Sequence, residues 1–216
     1  MHRKTTESRG FIFLLVCSLC VESRGTDIQS NQNFDGTLNL IEVLNVSEDY
    51  WVYFQTYSNT YHIVLKNNEI TVRTTCIKHR KTHLTASAYN FTVYELLNTK
   101  EVVDNCTGKF IDQAGATNKP PISMEVYRRS ELKPDYMATL TYTDPDFHEC
   151  NVYSISYLED DLADDIPTCE MHIKDSRVQQ GPTKGCLIHY NIYCNDTKYQ
   201  PYSGKCKNNN NPDNSL

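Results

Sequence analysis

Apolar and polar residues alternate over most of the chain, which predicts β-strands with little helix between them. The predicted strands cover residues 50–57, 61–65, 69–78, 84–96, 101–110, 122–128, 136–143, 150–155 and 169–173. Strands that recur about every 8–12 residues are typical of an antiparallel barrel or a sandwich. The pattern alone does not choose between these two architectures.

Turn-forming residues separate the predicted strands. Turns are expected at 67–68, 79–81 and 144–146, and loops at 112–121 and 159–165. The loop 159–165 is strongly acidic, but it lacks the glycine and the alternating acids of a calcium-binding loop. We therefore expect it to be a solvated loop.

Helical periodicity is confined to short segments. Leu38, Ile41 and Leu44 are spaced as on one face of a short helix, and Asp35 is suited to be its N-cap. The cysteine-rich segment 186–194 closes the last unit of the fold. Residues 207–216 form a polar tail that has no apolar side chains to bury before its last residue.

The first 25 residues have the layout of a secretory signal peptide. Three basic residues precede a largely apolar run, 11–21, and small residues follow at 23 and 25. The run is shorter than the roughly 20 apolar residues that span a membrane. We expect residues 1–25 to be cleaved and the protein to be secreted into the extracellular space.

The charge balance excludes some classes of partner. Without residues 1–25 the chain keeps 17 basic and 25 acidic residues, a net charge of −8. An acidic protein is poorly suited to bind nucleic acid or an anionic membrane surface, so we expect neither as a partner.

Cysteine content also points to export. Seven cysteines remain after cleavage, and no two of them are spaced as a zinc-binding CxxC pair. In an exported chain they are expected to form disulfides. Four N-glycosylation sequons support the same compartment. These sequons begin at Asn45, Asn90, Asn105 and Asn195.

A spaced motif in the C-terminal third resembles one known family. Cys150-Asn151-Val152 is followed by seventeen residues, Glu170-Met171-His172, thirteen residues, and Cys186. This frame resembles the signature of the tick salivary lipocalins of the histamine-binding type. Here Asn151 stands for an aspartate of the signature, Met171 for a leucine, and His172 for an aromatic residue. The resemblance extends over about residues 35–206.

The resemblance implies an all-β fold, an eight-stranded antiparallel lipocalin barrel with short N- and C-terminal helices, in one domain over 26–206. It also implies that Cys76 pairs with Cys206, and Cys150 with Cys186. We take Cys169 with Cys194 as the third pair. Cys106 is then left over; since it follows the Asn105 sequon, we expect it near the surface, where it could link two otherwise monomeric chains.

The same resemblance implies a set of ligand contacts. Tyr57, at the end of the first strand, matches a tyrosine that contacts ligand in the family. Tyr50 and Tyr127 fall on aromatic positions, and Glu170 and Glu101 on acidic ones. Four other positions lack the acid that the family pattern has. They are Asn45, Thr60, Ala138 and Asn151.

The implied function is capture of a small host mediator, either histamine or serotonin, inside the barrel. A barrel short of acids would also suit a lipid mediator such as a leukotriene, with Arg73 or Arg128 as the anchor for its carboxylate. A third reading is a host-protein inhibitor, of complement or platelet activation, that uses the outer loops.

Catalytic and metal motifs are missing from the sequence, so neither an enzyme nor a cofactor is expected. No GxSxG, HExxH or phosphate-binding loop occurs. His79 and His83 are four residues apart, but they fall in a predicted turn and not on a helix, so no metal site is expected there. His62, His172 and His189 are expected to be wall or surface residues.

Overall fold

The structure is a computed structural model that describes residues 38–65, 68–112, 119–128, 131–158, 168–194 and 197–208. The expected signal peptide, Asp35, the acidic loop 159–165, Asn195 and most of the polar tail lie outside these residues. Within them, no helix is both long and apolar enough to cross a lipid bilayer.

Nine strands and three α-helices make up the described chain. The strands are β1 (Tyr50–Gln55), β2 (Thr60–Leu65), β3 (Asn68–Leu84), β4 (Ala88–Leu97), β5 (Lys100–Ile111), β6 (Ser123–Arg128), β7 (Tyr136–Thr143), β8 (Cys150–Tyr157) and β9 (Thr168–Lys174). The helices are α1 (Leu40–Leu44), α2 (Lys184–Tyr193) and α3 (Lys205–Asn208), with a 3-10 turn at Val178–Gln180.

Eight of the strands form the closed antiparallel barrel implied by the resemblance. Consecutive strands pair from β3 to β9, and β9 pairs with β1. The barrel closes where β1 pairs with β3, at Tyr50 opposite His79 and Trp51 opposite Lys78. β2 is a ninth strand, and it pairs only with the first residues of β3.

The turn predicted at 79–81 is wrong. These residues lie inside β3, a strand of 17 residues, where Arg80 pairs with Thr92 and Lys81 with Phe91 of β4. The basic run is stable in a strand because Arg80 forms two hydrogen bonds, of 3.0 and 2.8 Å, with the carboxylate of Asp49. The true turn lies at 85–87, where Thr85 Oγ1 accepts a hydrogen bond from the backbone N–H of Ala88.

Helix α1 covers one end of the barrel. It begins at Leu40, and the side chain of Asn39 caps it by accepting a hydrogen bond from the N–H of Glu42. Leu40, Val43 and Leu44 are buried. The helix begins at Leu40, so it is shorter than the helix predicted from the sequence, which includes Leu38.

The buried apolar side chains form two groups, one on each face of the barrel wall. The interior cluster fills the barrel and consists of Leu38, Leu40, Val43, Leu44, Val52, Ile77, Tyr89, Phe91, Val93, Cys106, Met124, Val126, Tyr136, Ala138, Leu140, Tyr153 and Ile155. The outer cluster consists of Trp51, Tyr142, Cys150, Val152, Cys169, Met171, Ile173, Val178, Cys186, Tyr190, Cys194, Tyr202 and Cys206. Helix α2 and the C-terminal segment supply its outer side chains, and β1, β8 and β9 supply most of the rest.

Three disulfides join residues of the outer cluster or its edge, and they are the pairs expected from the sequence. Cys76 bonds Cys206, Cys150 bonds Cys186, and Cys169 bonds Cys194. The first closes the longest loop, with a sequence separation of 130. The chain-entropy argument gives it about 5 kcal/mol of stabilisation.

Cys106 is buried, whereas the sequence led us to expect it near the surface. It takes part in none of the three disulfides and is buried in the interior cluster. Successive side chains of a strand point to opposite faces, so Asn105, which is exposed, places the next residue inward. In this position the thiol is shielded from a second chain.

Candidate ligand-binding site

Strand β9 divides its side chains between the two faces of the barrel wall. Cys169, Met171 and Ile173 belong to the outer cluster. Glu170 and His172 alternate with them and line a cavity inside the barrel. Helix α2 covers the outer face, which explains why this strand is buried on both sides.

Both carboxylate oxygens of Glu170 are hydrogen-bonded inside the barrel. The hydroxyl of Tyr57 donates to Oε1. Nε2 of His172 lies 2.7 Å from Oε2. The two side chains are largely buried, at 12% exposed for Glu170 and 9% for His172. The barrel thus holds an acid whose hydrogen-bonding partners are protein groups and not bulk water.

The surroundings of Glu170 keep it ionised. Burial alone would raise its pKa, but the hydrogen bond to His172, the charges of the two nearby histidines and the bond from Tyr57 together lower the pKa to about 2. The carboxylate therefore carries its negative charge at neutral pH.

A second imidazole lies against the first. The rings of His79, from β3, and His172 are 4.8 Å apart and nearly perpendicular. Burial, followed by the neighbouring His172, lowers the pKa of His79 to about 3. His79 is therefore neutral at physiological pH and offers an aromatic edge and a hydrogen-bonding nitrogen.

Aromatic side chains surround the acid and the two histidines. The ring of Tyr153 is 4.8 Å from His172, and Tyr89 stacks on Phe91 at 4.8 Å. Burial, together with the charge of Glu170, holds the pKa values of Tyr136 and Tyr153 well above their ordinary range. Their hydroxyls are neutral, and the cavity wall combines apolar faces with hydrogen-bond donors.

The side chains almost fill the interior. The remaining space is about 20 Å³, which is about enough for one water molecule. It is lined by Leu44, Tyr50, His79, Tyr89, Phe91, Met124, Tyr136, Ala138, Tyr153, Ile155, Glu170 and His172. A ligand larger than water can enter only if some of these side chains move.

Three of the five residues proposed from the sequence come together at this cavity. Tyr50 and Glu170 line it, and Tyr57 reaches Glu170 through its hydroxyl. The hydroxyl of Tyr50 points toward the end closed by α1, where it lies 3.1 Å from the carbonyl of Val43 and 3.0 Å from that of His148. Its ring, and not its hydroxyl, faces the cavity.

Glu101 and Tyr127 do not line the cavity, because strand alternation turns them outward. Tyr127 follows the buried Val126, and its hydroxyl donates to Glu125 at 2.8 Å while Lys109 lies over its ring. Glu101 lies instead at a larger, polar cavity of about 370 Å³ beside Trp51, Lys78 and the Cys76–Cys206 disulfide. That cavity is next to the outer cluster.

The positions that lack family acids are spread over the molecule. Ala138 lines the interior cavity. Asn151 is buried and accepts a hydrogen bond from Thr143 at 2.6 Å. Asn45 is exposed at the end of α1, and Thr60 is at the start of β2. Of the four positions only Ala138 lines the interior cavity, so only there does the replacement remove an acid from the cavity wall.

The two histidines of the site were missed from the sequence. The sequence places His79 in a predicted turn and predicts that His172 is a wall or surface residue. One signal was available for His172: it is two residues from Glu170 in a predicted strand, so both share a face. Among the described residues, no group of three or more His, Cys, Asp or Glu is arranged to hold a metal ion.

The two arginines considered for a lipid carboxylate are unsuited to that role. Arg73 is exposed. Arg128 forms an ion pair of 2.9 Å with Asp135 and lies 6.0 Å from the centre of the Tyr136 ring. Neither lines the interior cavity.

Comparison with protein families identifies the relatives of this chain. The model of the tick histamine binding protein family matches residues 28–208. The chain belongs to that family. No curated protein sequence is similar enough to count as a relative. Among solved structures, Japanin from Rhipicephalus appendiculatus, bound to cholesterol, matches with 12% identity and a TM-score of 0.45, over 74% of this chain and 96% of Japanin.

Proposed function

We propose that this protein is a secreted salivary scavenger that captures a small cationic host mediator, a biogenic amine such as histamine or serotonin, inside its barrel. The observation that carries the proposal is the buried, ionised Glu170 within a wall of aromatic rings. The protein carries out no reaction on its ligand. It acts by lowering the free concentration of the mediator, which dampens inflammation and haemostasis in the host.

Charge favours an amine over other small ligands. Moving an ammonium group out of water is costly unless an opposite charge meets it, and Glu170 supplies that charge. Aromatic faces such as those of Tyr136 and Tyr153 add a favourable cation–π contribution, estimated at about 0.5–2 kcal/mol. The same carboxylate repels the carboxylate of a fatty acid or leukotriene, and Arg128 is already paired with Asp135.

The small size of the cavity also favours an amine over a lipid. The space between the interior side chains holds about one water molecule, so a long acyl chain would displace much of the interior cluster. A single-ring amine requires far less movement. Rotation of the histidines and tyrosines next to Glu170 would open space where the charge is located.

Calorimetric titration of the mature protein with histamine, serotonin and leukotriene B4 tests this function. We expect saturable binding of at least one amine, and no binding of leukotriene B4. Glu170→Gln should lower amine affinity about tenfold to a hundredfold, whereas the matched variant Glu101→Gln, on the outer face, should leave it unchanged. Leukotriene binding without amine binding, or amine binding unaffected by Glu170→Gln, would overturn the proposal.

One observation favours a second function, inhibition of a host protein that takes part in complement or platelet activation. The β2–β3 hairpin extends past the point where the barrel closes, and four of its apolar residues are exposed. They are Tyr61, Ile63, Val64 and Ile70, at 41%, 39%, 72% and 43% exposure. Complement-lysis and platelet-aggregation assays with wild type and Ile63→Ser/Val64→Ser test this function. Absence of inhibition by wild type would exclude it, and equal inhibition by the two proteins would exclude a role of the hairpin.

A further inference from the structure

We propose that His172 holds the place of the ligand cation, so that an entering ammonium group replaces one proton shared by Glu170 and His172. This inference rests on the proposed capture of an amine. It makes His172 a residue that sets ligand specificity, because the ligand must compete with an imidazole already bound to the acid.

The hydrogen-bond partners of Glu170 and the small cavity beside it together leave no room for an ammonium group. Tyr57 occupies Oε1, and His172 Nε2 occupies Oε2 at 2.7 Å. The cavity next to them is too small to hold an amine beside the existing partners. An ammonium nitrogen that bonds Glu170 must therefore take the position of one partner, and the imidazole of His172 fills the larger volume.

The charges around the pair show which group neutralises Glu170. The described titratable side chains that face the pair are Tyr57, Tyr136, Tyr153, Tyr157, His79 and Arg128. The four tyrosines are neutral because burial, reinforced by Glu170, raises their pKa, to about 12 for Tyr157. His79 is neutral because burial lowers its pKa to about 3.

Arg128 is already engaged by Asp135. A buried carboxylate without a counter-charge is costly, and the remaining partner in direct contact is His172. In the proposed arrangement the pair Glu170–His172 shares one proton and is neutral overall in the empty barrel.

Ligand capture then proceeds as an exchange. The N–H···O bond between protonated His172 and Glu170 breaks, a new bond forms from the ligand ammonium to Glu170, and His172 becomes neutral by releasing its extra proton to solvent. One cation enters and one proton leaves, so the buried charge stays balanced. Ligands without a positive charge cannot drive this exchange, which is why the pair selects for amines.

Calorimetric titration with serotonin in phosphate buffer between pH 6 and 7.5, repeated in Tris buffer at pH 7.5, measures the exchange. The ammonium and phenol groups of serotonin titrate near pH 10, as do those of lysine and tyrosine, about 10.4 and 10, so the ligand itself releases no proton in this range. We expect about one proton released per site, and an affinity that rises up to about tenfold per pH unit.

His172→Gln keeps a hydrogen-bond donor but cannot hold the extra proton, and His172→Phe keeps only the ring shape. Both variants should bind serotonin with no proton release and with an affinity independent of pH. The inference would be overturned if the enthalpy of serotonin binding to wild type were the same in both buffers and the affinity were the same at every pH.

A measurement on the empty protein separates this inference from the proposed function. The ¹⁵N chemical shifts of His172 at pH 6.5 should be those of an imidazolium in wild type and of a neutral ring in Glu170→Gln. A neutral His172 in wild type would overturn the inference even if serotonin binds. An imidazolium without serotonin binding would leave the pair intact and overturn only the amine-capture function.

Discussion

The interior and outer clusters contact opposite faces of the same wall and differ in what holds them together. The interior cluster surrounds an acid, two histidines and several tyrosines, and no disulfide crosses it. The outer cluster is almost entirely apolar and contains five of the six cysteines that form the three disulfides, with Cys76 packed at its edge. Covalent links therefore hold the wall from outside, and none of the three disulfides links the interior side chains to one another.

Strand β9 shows the consequence on the scale of single residues. Met171 and Ile173 are fully buried in the outer cluster, and the alternate residues Glu170 and His172 carry the proposed chemistry. A change in an odd-numbered residue of this strand should affect stability. A change in an even-numbered residue should affect mainly ligand binding.

The largest change in the free energy of unfolding is expected when one of the outer disulfides is removed. The double variant Cys169→Ala/Cys194→Ala should lower the free energy of unfolding by about 2–5 kcal/mol, the usual effect of losing a native disulfide. Chemical denaturation of wild type and variant measures this loss. Amine affinity at a temperature where both are folded should stay the same, and a large loss of affinity would show that the two clusters are not independent.

A somewhat smaller effect is expected from pH, through the interior. His79 is held neutral in the fold with a pKa of about 3, whereas an unfolded histidine has its ordinary value near 6.5. Below pH 6.5 the unfolded chain binds the extra proton, so this stabilisation is present above pH 6.5 and is lost on acidification toward pH 3. The loss between pH 6.5 and 4 is up to about 3 kcal/mol. His79→Phe should flatten the stability–pH curve over this range, and an equal slope in both proteins would contradict the assignment.

The next effect concerns binding. Glu170→Gln removes a charge-assisted hydrogen bond worth roughly 1.5–3 kcal/mol. Amine affinity should therefore fall about tenfold to a hundredfold. Met171→Ala, the adjacent change on the outer face, should lower stability by about 2–5 kcal/mol without lowering affinity in the folded protein. If Glu170→Gln lowered only stability and Met171→Ala lowered only affinity, the roles of the two faces would be the reverse of those proposed.

The smallest effect is expected outside both clusters. Tyr127 contacts Glu125 and Lys109 on the outer surface, so Tyr127→Phe should leave amine affinity unchanged. A marked loss of affinity in calorimetric titration would place the ligand outside the barrel.

Most of the strands could be predicted from alternation and the closed barrel from the family resemblance, and the exceptions have physical causes. The strand 136–143 was predicted with its observed bounds because its side chains alternate and Asp144-Pro145 ends it. The turn at 79–81 was predicted on local composition, but pairing along β4 and the Arg80–Asp49 contact keep these residues in a strand. Such long-range partners cannot be read from the neighbouring residues.

The site was only partly predictable for a related reason. The resemblance proposes Glu170 and Tyr57 as ligand contacts, and the structure brings the two side chains into hydrogen-bonding contact; their part in ligand binding stays a prediction. Glu101, Tyr127 and Cys106 depend on which face of a strand each residue occupies, and a shift of one residue reverses that face. The pairing partners across the barrel determine it, and they are distant in sequence.

A crystal structure of the protein soaked with serotonin tests the central claim most directly. The amine nitrogen should lie within hydrogen-bonding distance of a Glu170 oxygen, with the imidazole of His172 turned away from its present position 2.7 Å from that carboxylate. Serotonin bound at the outer cavity beside Glu101, with Glu170 and His172 still hydrogen-bonded, would contradict it.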